Sequence, residues 1–365
     1  MEFGLSEDQR LLEDSVRRFT ADLLPLERIR ELAAEKTGFN AEIWQGLVDL
    51  AAPGVIIPEE YGGAEFKMLD AMIIQEALGR TCAPVPYTGT AIMAPVALLT
   101  GGTDEQKEEW LPQIAAGDCK VGVGVTENIN IREGKGITLS GGKASGDALF
   151  VIDGGPADLY ILAAGKDNMV IVPRDAAGVT VTPLTTIDYT RMTCEVTLDN
   201  VEADLLGGEG AAGEAITRTI MAGRLALAAD LLGAADVMIE KAVAYALERK
   251  QFDRVIGSYQ AVKHMCAEMV SELDPFRSLV WYAAHAFDEV PEEAVISTLL
   301  AKSGISEVGR SVARTATEVH GGMGFTDLMG LHYWYKRVNV DRQLLGGAEV
   351  LREEAAVVQG WIKAA

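Results

Sequence analysis

The chain has 365 residues, 48% of them hydrophobic, enough for two or three well-packed domains and too many for a disordered polymer. Its 54 acidic and 32 basic side chains give a formal charge of -22. Such a surface repels polyanions and argues against nucleic acid or an anionic bilayer as general partners, although a local basic spot for a phosphorylated cofactor is compatible with it. Cys82, Cys119, Cys194 and Cys266 are scattered, with no Cys-x-x-Cys pair and no His at zinc spacing, and read as ordinary buried thiols. The stretch Met1 to Asp8 lacks the basic start and apolar run of a secretory signal, and no segment approaches the ~18 apolar residues of a membrane span. The expectation is a cytoplasmic protein.

Ser6 and Gln9 form a Ser-x-x-Gln capping box ahead of Leu11, Leu12, Val16, Phe19 and Leu23 at helical spacing. Helical patterns continue through Ile43 to Leu50, Leu69 to Leu78, Ile92 to Leu99 and Asp104 to Ile114, punctuated by Pro53-Gly54, Gly62-Gly63 and Gly101-Gly102. Residues 1–118 thus read as an all-helical domain.

From Lys120 the texture changes to short β-rich runs: Val121 to Thr126, Ala148 to Ile152, Asp158 to Ala163, Met169 to Val172, Val179 to Thr182 and Cys194 to Leu198. Gly and Asp clusters between them predict an antiparallel barrel or sandwich over 119–209. The remainder, 210–365, is helical again, opening with Ile216, Ile220, Leu227 and Leu231. Further helices are predicted from Tyr259, from Pro291 at a first-turn position and from Ala348, with Pro275 expected to kink or break its helix. Four long amphipathic helices predict a bundle whose faces pack against another subunit.

Two segments carry candidate chemistry. Glu248 to His264 closes one helix and opens the next, offering Arg249 for a phosphate, the Phe252 ring and the Gln260 amide near free backbone N–H groups. A solvated loop with a helix cap is the simpler physical account. The second, Glu318 to Thr326, holds Gly321, Gly322 and Gly324, which let backbone approach a ligand closely. A helix C-cap explains it nearly as well.

Together and in this order these segments resemble the acyl-CoA dehydrogenase family. The resemblance spans nearly the whole chain, including Pro58 to Gly63, Val125-Thr126-Glu127, Asp188-x-x-Arg191 and Arg224. It implies a mostly α fold of a helical domain, a central β-barrel and a C-terminal four-helix bundle. It implies FAD, an acyl-CoA substrate and electron-transfer flavoprotein as acceptor. By the same likeness Arg249, Phe252, Gln260, Glu318, Gly321 and Gly322 match positions around the ADP half of FAD and reach across a dimer interface. Val125 and Thr126, with Glu127, match the segment touching the flavin ring, Asp158 and Leu159 a second such segment, and Arg224 marks the substrate side.

Family chemistry removes a Cα proton with a carboxylate while hydride leaves Cβ for the flavin. Most relatives carry that Glu before the final helix, where this chain has Leu344-Leu345-Gly346-Gly347-Ala348; a smaller group carries it on the first bundle helix, where this chain has Gly223. Asp341 and Glu349 are nearby acids, read as a surface ion-pair member and a helix first-turn acid. The loop Asn128 to Glu133 lacks the family's Gly-Ser pair, and Glu318 replaces a usual Gln. Groups offered to a neighbour's flavin are kept while those of the chain's own site are lost. The pattern resembles the subunit without catalytic Glu in heteromeric dehydrogenases of bacterial steroid side chains, and predicts a tetramer with a sister subunit acting on a bulky acyl-CoA, given room by Gly223, Gly346 and Gly347. The alternatives are a self-sufficient homotetramer with a displaced base, and a flavin oxidase or monooxygenase on this scaffold.

Overall fold

The computed structural model describes residues 4–129, 133–202 and 204–363. Six helices build the first third: α1 (Glu7–Leu23), α2 (Leu26–Glu35), α3 (Ala41–Asp49), α4 (Met68–Arg80), α5 (Ala94–Gly101) and α6 (Asp104–Ala115). The capping box is formed, with Gln9 N–H donating to Ser6 Oγ at 3.1 Å and Ser6 N–H to Gln9 Oε1 at 3.0 Å. Helix α2 escapes the pattern reading because five of its ten side chains are charged, although Ile29, Leu32 and Ala33 turn inward. The segment leading into α5, Thr88–Met93, is π-helical and wholly buried.

The middle third contains β1 (Val121–Gly124), β2 (Gly136–Ser140), β3 (Lys143–Val151), β4 (Leu159–Ala163), β5 (Met169–Pro173), β6 (Val179–Pro183), β7 (Cys194–Glu202) and β8 (Asp204–Leu205). They form two four-stranded sheets, ordered β1-β4-β5-β8 and β2-β3-β7-β6, linked by a bridge between Val123 and Ile152. Pairing is antiparallel except that β1 runs parallel to β4, a departure from the wholly antiparallel expectation. Ala148, Val151 and Val196 of one sheet meet Tyr160, Leu162 and Val170 of the other in one apolar cluster. The opposite face of the first sheet packs Val121, Val123 and Ile161 against Leu98 and Leu111, which is why β4 is buried on both sides and shows no alternation.

In the last third α7 (Gly213–Glu248), α8 (Gln260–Glu289) and α9 (Pro291–His320) are long, and α10 (Leu331–Gln343) and α11 (Ala348–Val358) are short. The bundle therefore has three long helices with two short ones, not four long ones. Helix α10 was hidden because its inward face, Trp334, Arg337, Val338 and Asp341, carries two charges among its apolar residues. Pro275 neither breaks nor ends α8. Pro275 and Ser271 both lie on the exposed face, so the residue whose carbonyl loses its N–H partner to the ring is not buried. Between α7 and α8 a two-residue hairpin joins β9 (Lys250–Gln251) to β10 (Arg254–Val255). From Met221 to Ala235 α7 is buried around its circumference, the mark of a central helix.

Candidate active site and its flanking turns

A cleft of about 520 Å³ opens between the β-segment and the last two helices. Thr126, Phe150 and Ile187 line one side, and Val340, Leu345 and Glu349 the other. Val125, one residue deeper, is buried, and Glu127 turns back to accept from Leu149 N–H at 3.0 Å. Asn130, Ile131 and Arg132 of the atypical loop fall outside the described residues. Asp158 lies away in an ion pair with Lys120 at 2.6 Å, while Leu159 is buried in β4.

The segment Leu344 to Gly347 forms the inner wall. Leu345 stands at φ +57° and Gly346 at φ +106°, both in the left-handed half of conformational space. Gly223 gives no room: a Cβ placed there would lie 2.5 Å from Leu345 Cδ1 and 2.8 Å from the Met93 sulfur. At Gly346 a Cβ would meet Leu351 at 3.3 Å, and at Gly347 the Gln343 amide oxygen at 3.0 Å. The room expected at Gly223 is thus taken by Leu345 and Met93, while Gly346 and Gly347 line the cleft itself.

Glu349 is the carboxylate on the cleft lining. As expected it sits in the first turn of α11, and Arg342 Nη2 donates to it at 3.0 Å. A backbone hydrogen bond and the Arg342 charge hold its carboxyl below the ordinary glutamate value, which makes it a weaker base. Asp341 corrects the reading of it as a surface ion-pair member. It is fully buried, with Arg191 Nε 3.3 Å from Oδ1 and Asp230 close by. Burial, opposed by Arg191 and reinforced by Asp230, raises its carboxyl well above the ordinary range. It points away from the cleft into a charged core.

Arg224 is 5% exposed, and its guanidinium is committed. Nε donates to the Leu345 carbonyl at 2.9 Å, and the two terminal nitrogens clasp Glu354 of α11 at 2.6 and 2.8 Å. The substrate-side cation is therefore spent on locking the inner wall to α11. Glu354 had no signal in the sequence, since an acid on the second turn of an amphipathic helix looks like solvated surface.

At the far end of α7 the structure brings the two motif segments together. The Tyr245 ring stacks on His320 with centroids 4.5 Å apart, so the turn before Arg249 abuts the residue before Gly321. Phe252 and Asp253 occupy the hairpin tip at φ +52° and +63°, and Phe252 is 88% exposed. A non-glycine pair in this conformation carries strain that solvent exposure alone does not repay. Gln260 opens α8, where unpaired N–H groups face outward. Gly321 adopts φ +59°, ψ -140°, a region closed to other residues, and a Cβ on Gly321 or Gly322 would meet nothing within 4 Å. Glu318, the unexpected acid beside them, is paired with Arg314 at 3.1 Å. Arg30 of α2 pins the same loop, Nε to Asp327 Oδ2 at 2.8 Å and Nη2 to the Leu328 carbonyl at 3.1 Å.

Residues 6–118 match the family described as acyl-CoA dehydrogenase, N-terminal domain, and residues 208–358 match acyl-CoA dehydrogenase, C-terminal domain. The acyl-CoA dehydrogenase IpdE2 of Mycolicibacterium smegmatis is 30% identical over 94% of this chain and 96% of its own length. The chain belongs to the acyl-CoA dehydrogenase family. That family comprises flavoprotein oxidoreductases, in line with the resemblance carried by the motifs. Among solved structures, the ChsE4-ChsE5 complex from Mycobacterium tuberculosis aligns over 100% of both chains with a TM-score of 0.91 at 26% identity. A Tcur3481-Tcur3483 steroid acyl-CoA dehydrogenase variant aligns over 97% of this chain and 98% of its own with a TM-score of 0.88 at 27% identity. Among the described residues no helix is long and apolar enough to cross a membrane, and no group of three or more His, Cys, Asp or Glu is placed to hold a metal.

Proposed function

We propose that this chain takes part in FAD-dependent α,β-desaturation of an acyl-CoA as the subunit without a catalytic base, in a heterotetramer with a sister dehydrogenase. The observation that carries the reading is the cleft: among the described residues its lining offers one carboxylate, Glu349, and that carboxylate is paired with Arg342, which also holds Glu307. A group that must take a Cα proton has to be free and near its working pH, whereas the Glu349 carboxyl is held low. FAD, when bound, supplies the acceptor for the hydride. This chain's residues contribute Thr126 and Val125 to the ring side, and Arg249, Phe252, Gln260, Gly321 and Gly322, with Glu318 beside them, to an ADP side.

The two sides are far apart in the fold. Arg224, beside the cleft, and Arg249, the C-cap residue of α7, are 25 residues apart, about 38 Å along the helix at 1.5 Å per residue. That is longer than a single dinucleotide. This separation supports a reading in which the outward-facing ADP groups complete a site in a neighbouring subunit of a dimer. The ChsE4-ChsE5 complex, whose name joins two different chains, supports the heteromer, and the steroid dehydrogenase supports a bulky acyl-CoA. We also assign the domain limits 1–118, 119–209 and 210–365, and electron-transfer flavoprotein as acceptor, on the family likeness.

A second reading, a self-sufficient homotetramer, has a specific residue to recommend it, since Glu349 does face the cleft. One experiment separates the two. The chain is purified alone and after co-expression with a sister dehydrogenase, and flavin absorbance and acyl-CoA turnover are recorded. A colourless solitary chain that becomes part of a yellow, active complex is expected. Stoichiometric flavin and turnover from the solitary chain, abolished by Glu349→Gln, would establish the rival.

A further inference from the structure

At the inner wall of the cleft one side chain, Leu345, closes against the first long helix of the bundle. Leu345 is 3% exposed and turned inward by its left-handed backbone, and it rests on the bare Cα of Gly223. The Met93 sulfur meets the same point from the end of the π-helical stretch. Beyond them an apolar cluster continues through Ala94, Ala97 and Leu98 of α5 to Leu227 of α7. It lies between α5 and α7, where Leu98 and Leu227 are fully buried. The Leu345 carbonyl accepts from Arg224, which Glu354 holds in turn, so the backbone that carries the side chain is fixed in place.

We infer that Leu345 is the stop that sets the depth of this cleft. It admits the thioester end of an acyl group and excludes an extended chain. The inference rests on the acyl-CoA reading above and deepens it: this subunit's own cleft lacks a tail pocket as well as a base, so recognition of the acyl chain falls to the sister subunit.

Each methylene that finds an apolar lining tightens binding about fourfold, so an open tunnel would favour octanoyl-CoA over butanoyl-CoA by about 200-fold. A stop at Leu345 removes that gain. Calorimetric titration of the full chain is expected to give affinities within about threefold for the two thioesters, and Leu345→Ala to favour octanoyl-CoA by at least tenfold. A tenfold or greater preference for octanoyl-CoA in the unaltered chain overturns the inference. A second measurement needs no ligand: in a Cys266→Ser background, Met93→Cys places a thiol behind the stop. Its reaction with a small thiol reagent is expected to quicken at least tenfold on adding Leu345→Ala, or Leu345→Val should the alanine variant not fold. Equal rates overturn the inference. A thiol that opens on truncation, in a protein to which neither thioester binds, upholds the stop and rejects the acyl-CoA reading instead.

Discussion

Arg337 Nε donates to Asp230 Oδ2 at 2.7 Å, and neither side chain exposes more than 3% of its surface. The same carboxylate accepts from Arg191 at 3.0 Å and, through its other oxygen, from Gln75 at 3.1 Å. Asp230 on α7 is thereby tied to α10, to the segment before β7 and to α4, one partner from each third of the chain. Its two guanidinium neighbours, opposing the desolvation of a fully buried carboxyl, hold it below the ordinary aspartate range.

Removing one member of such a buried set leaves its partners charged and unpaired, which costs about 3–5 kcal/mol. Asp230→Asn is expected to lower the urea midpoint of unfolding accordingly, and to loosen all three parts together. A loss under about 1 kcal/mol would show that the network is not what couples them.

Lys302 gives a pH dependence of known sign. Fully buried, it donates to Ser306 Oγ at 3.1 Å and to the Asp341 carbonyl at 2.6 Å, and desolvation pulls its ammonium down to about 7. An unfolded lysine titrates near 10.4. Between those values the unfolded chain holds the extra proton, so stability contributed by this group rises with pH from about 7 to about 10. Lys302→Met is expected to flatten that rise in thermal melts compared across the window. An unchanged slope would mean that the lysine stays charged in the fold.

Restoring an acid will not restore the reaction. Gly346→Glu places a side chain at φ +106°, and Gly223→Glu drives one into Leu345 and Met93. The strained and overpacked variants are each expected to lose about 1–3 kcal/mol of stability. Neither should bleach the flavin of the complex when acyl-CoA is added beyond what the sister subunit already does. Doubled flavin reduction per tetramer from either variant would show that only the base was missing.

Phe252 sits strained and exposed, and the two facts predict opposite effects of one substitution. Phe252→Gly relieves a left-handed backbone at a cost-free position and is expected to leave the solitary chain as stable or about 1 kcal/mol more so. In the co-expressed complex it is expected to weaken assembly and flavin retention several-fold, measured by gel filtration and by absorbance per mole of protein. Full retention would remove Phe252 from the shared site.

The elements most readable from the chain were those whose burial is one-sided: α1 with its capping box, α6, the start of α9 at Pro291 and strands β6 and β7. Helix α10 and strand β2 were not, because charged or polar side chains serve the core in α10 and the solvent in β2. The motif segments around Arg249 and Gly321 could be seen as ligand-binding by likeness, but their meeting rests on the Tyr245–His320 stack, which neither segment announces. The absence of acids at Gly223 and Gly346 was written in the sequence. That the space beside Gly223 is filled, that Arg224 is held by Glu354, and that Asp341 is buried were not.

The chain alone therefore settled which chemical groups are present and which are missing, since residue identity and local periodicity need no partner to be read. Only the tertiary structure decided which of those groups are free to act. A carboxylate or guanidinium is available or spent according to what the fold sets within about 3 Å of it, and for Arg224 and Asp230 those neighbours come from segments a hundred or more residues away.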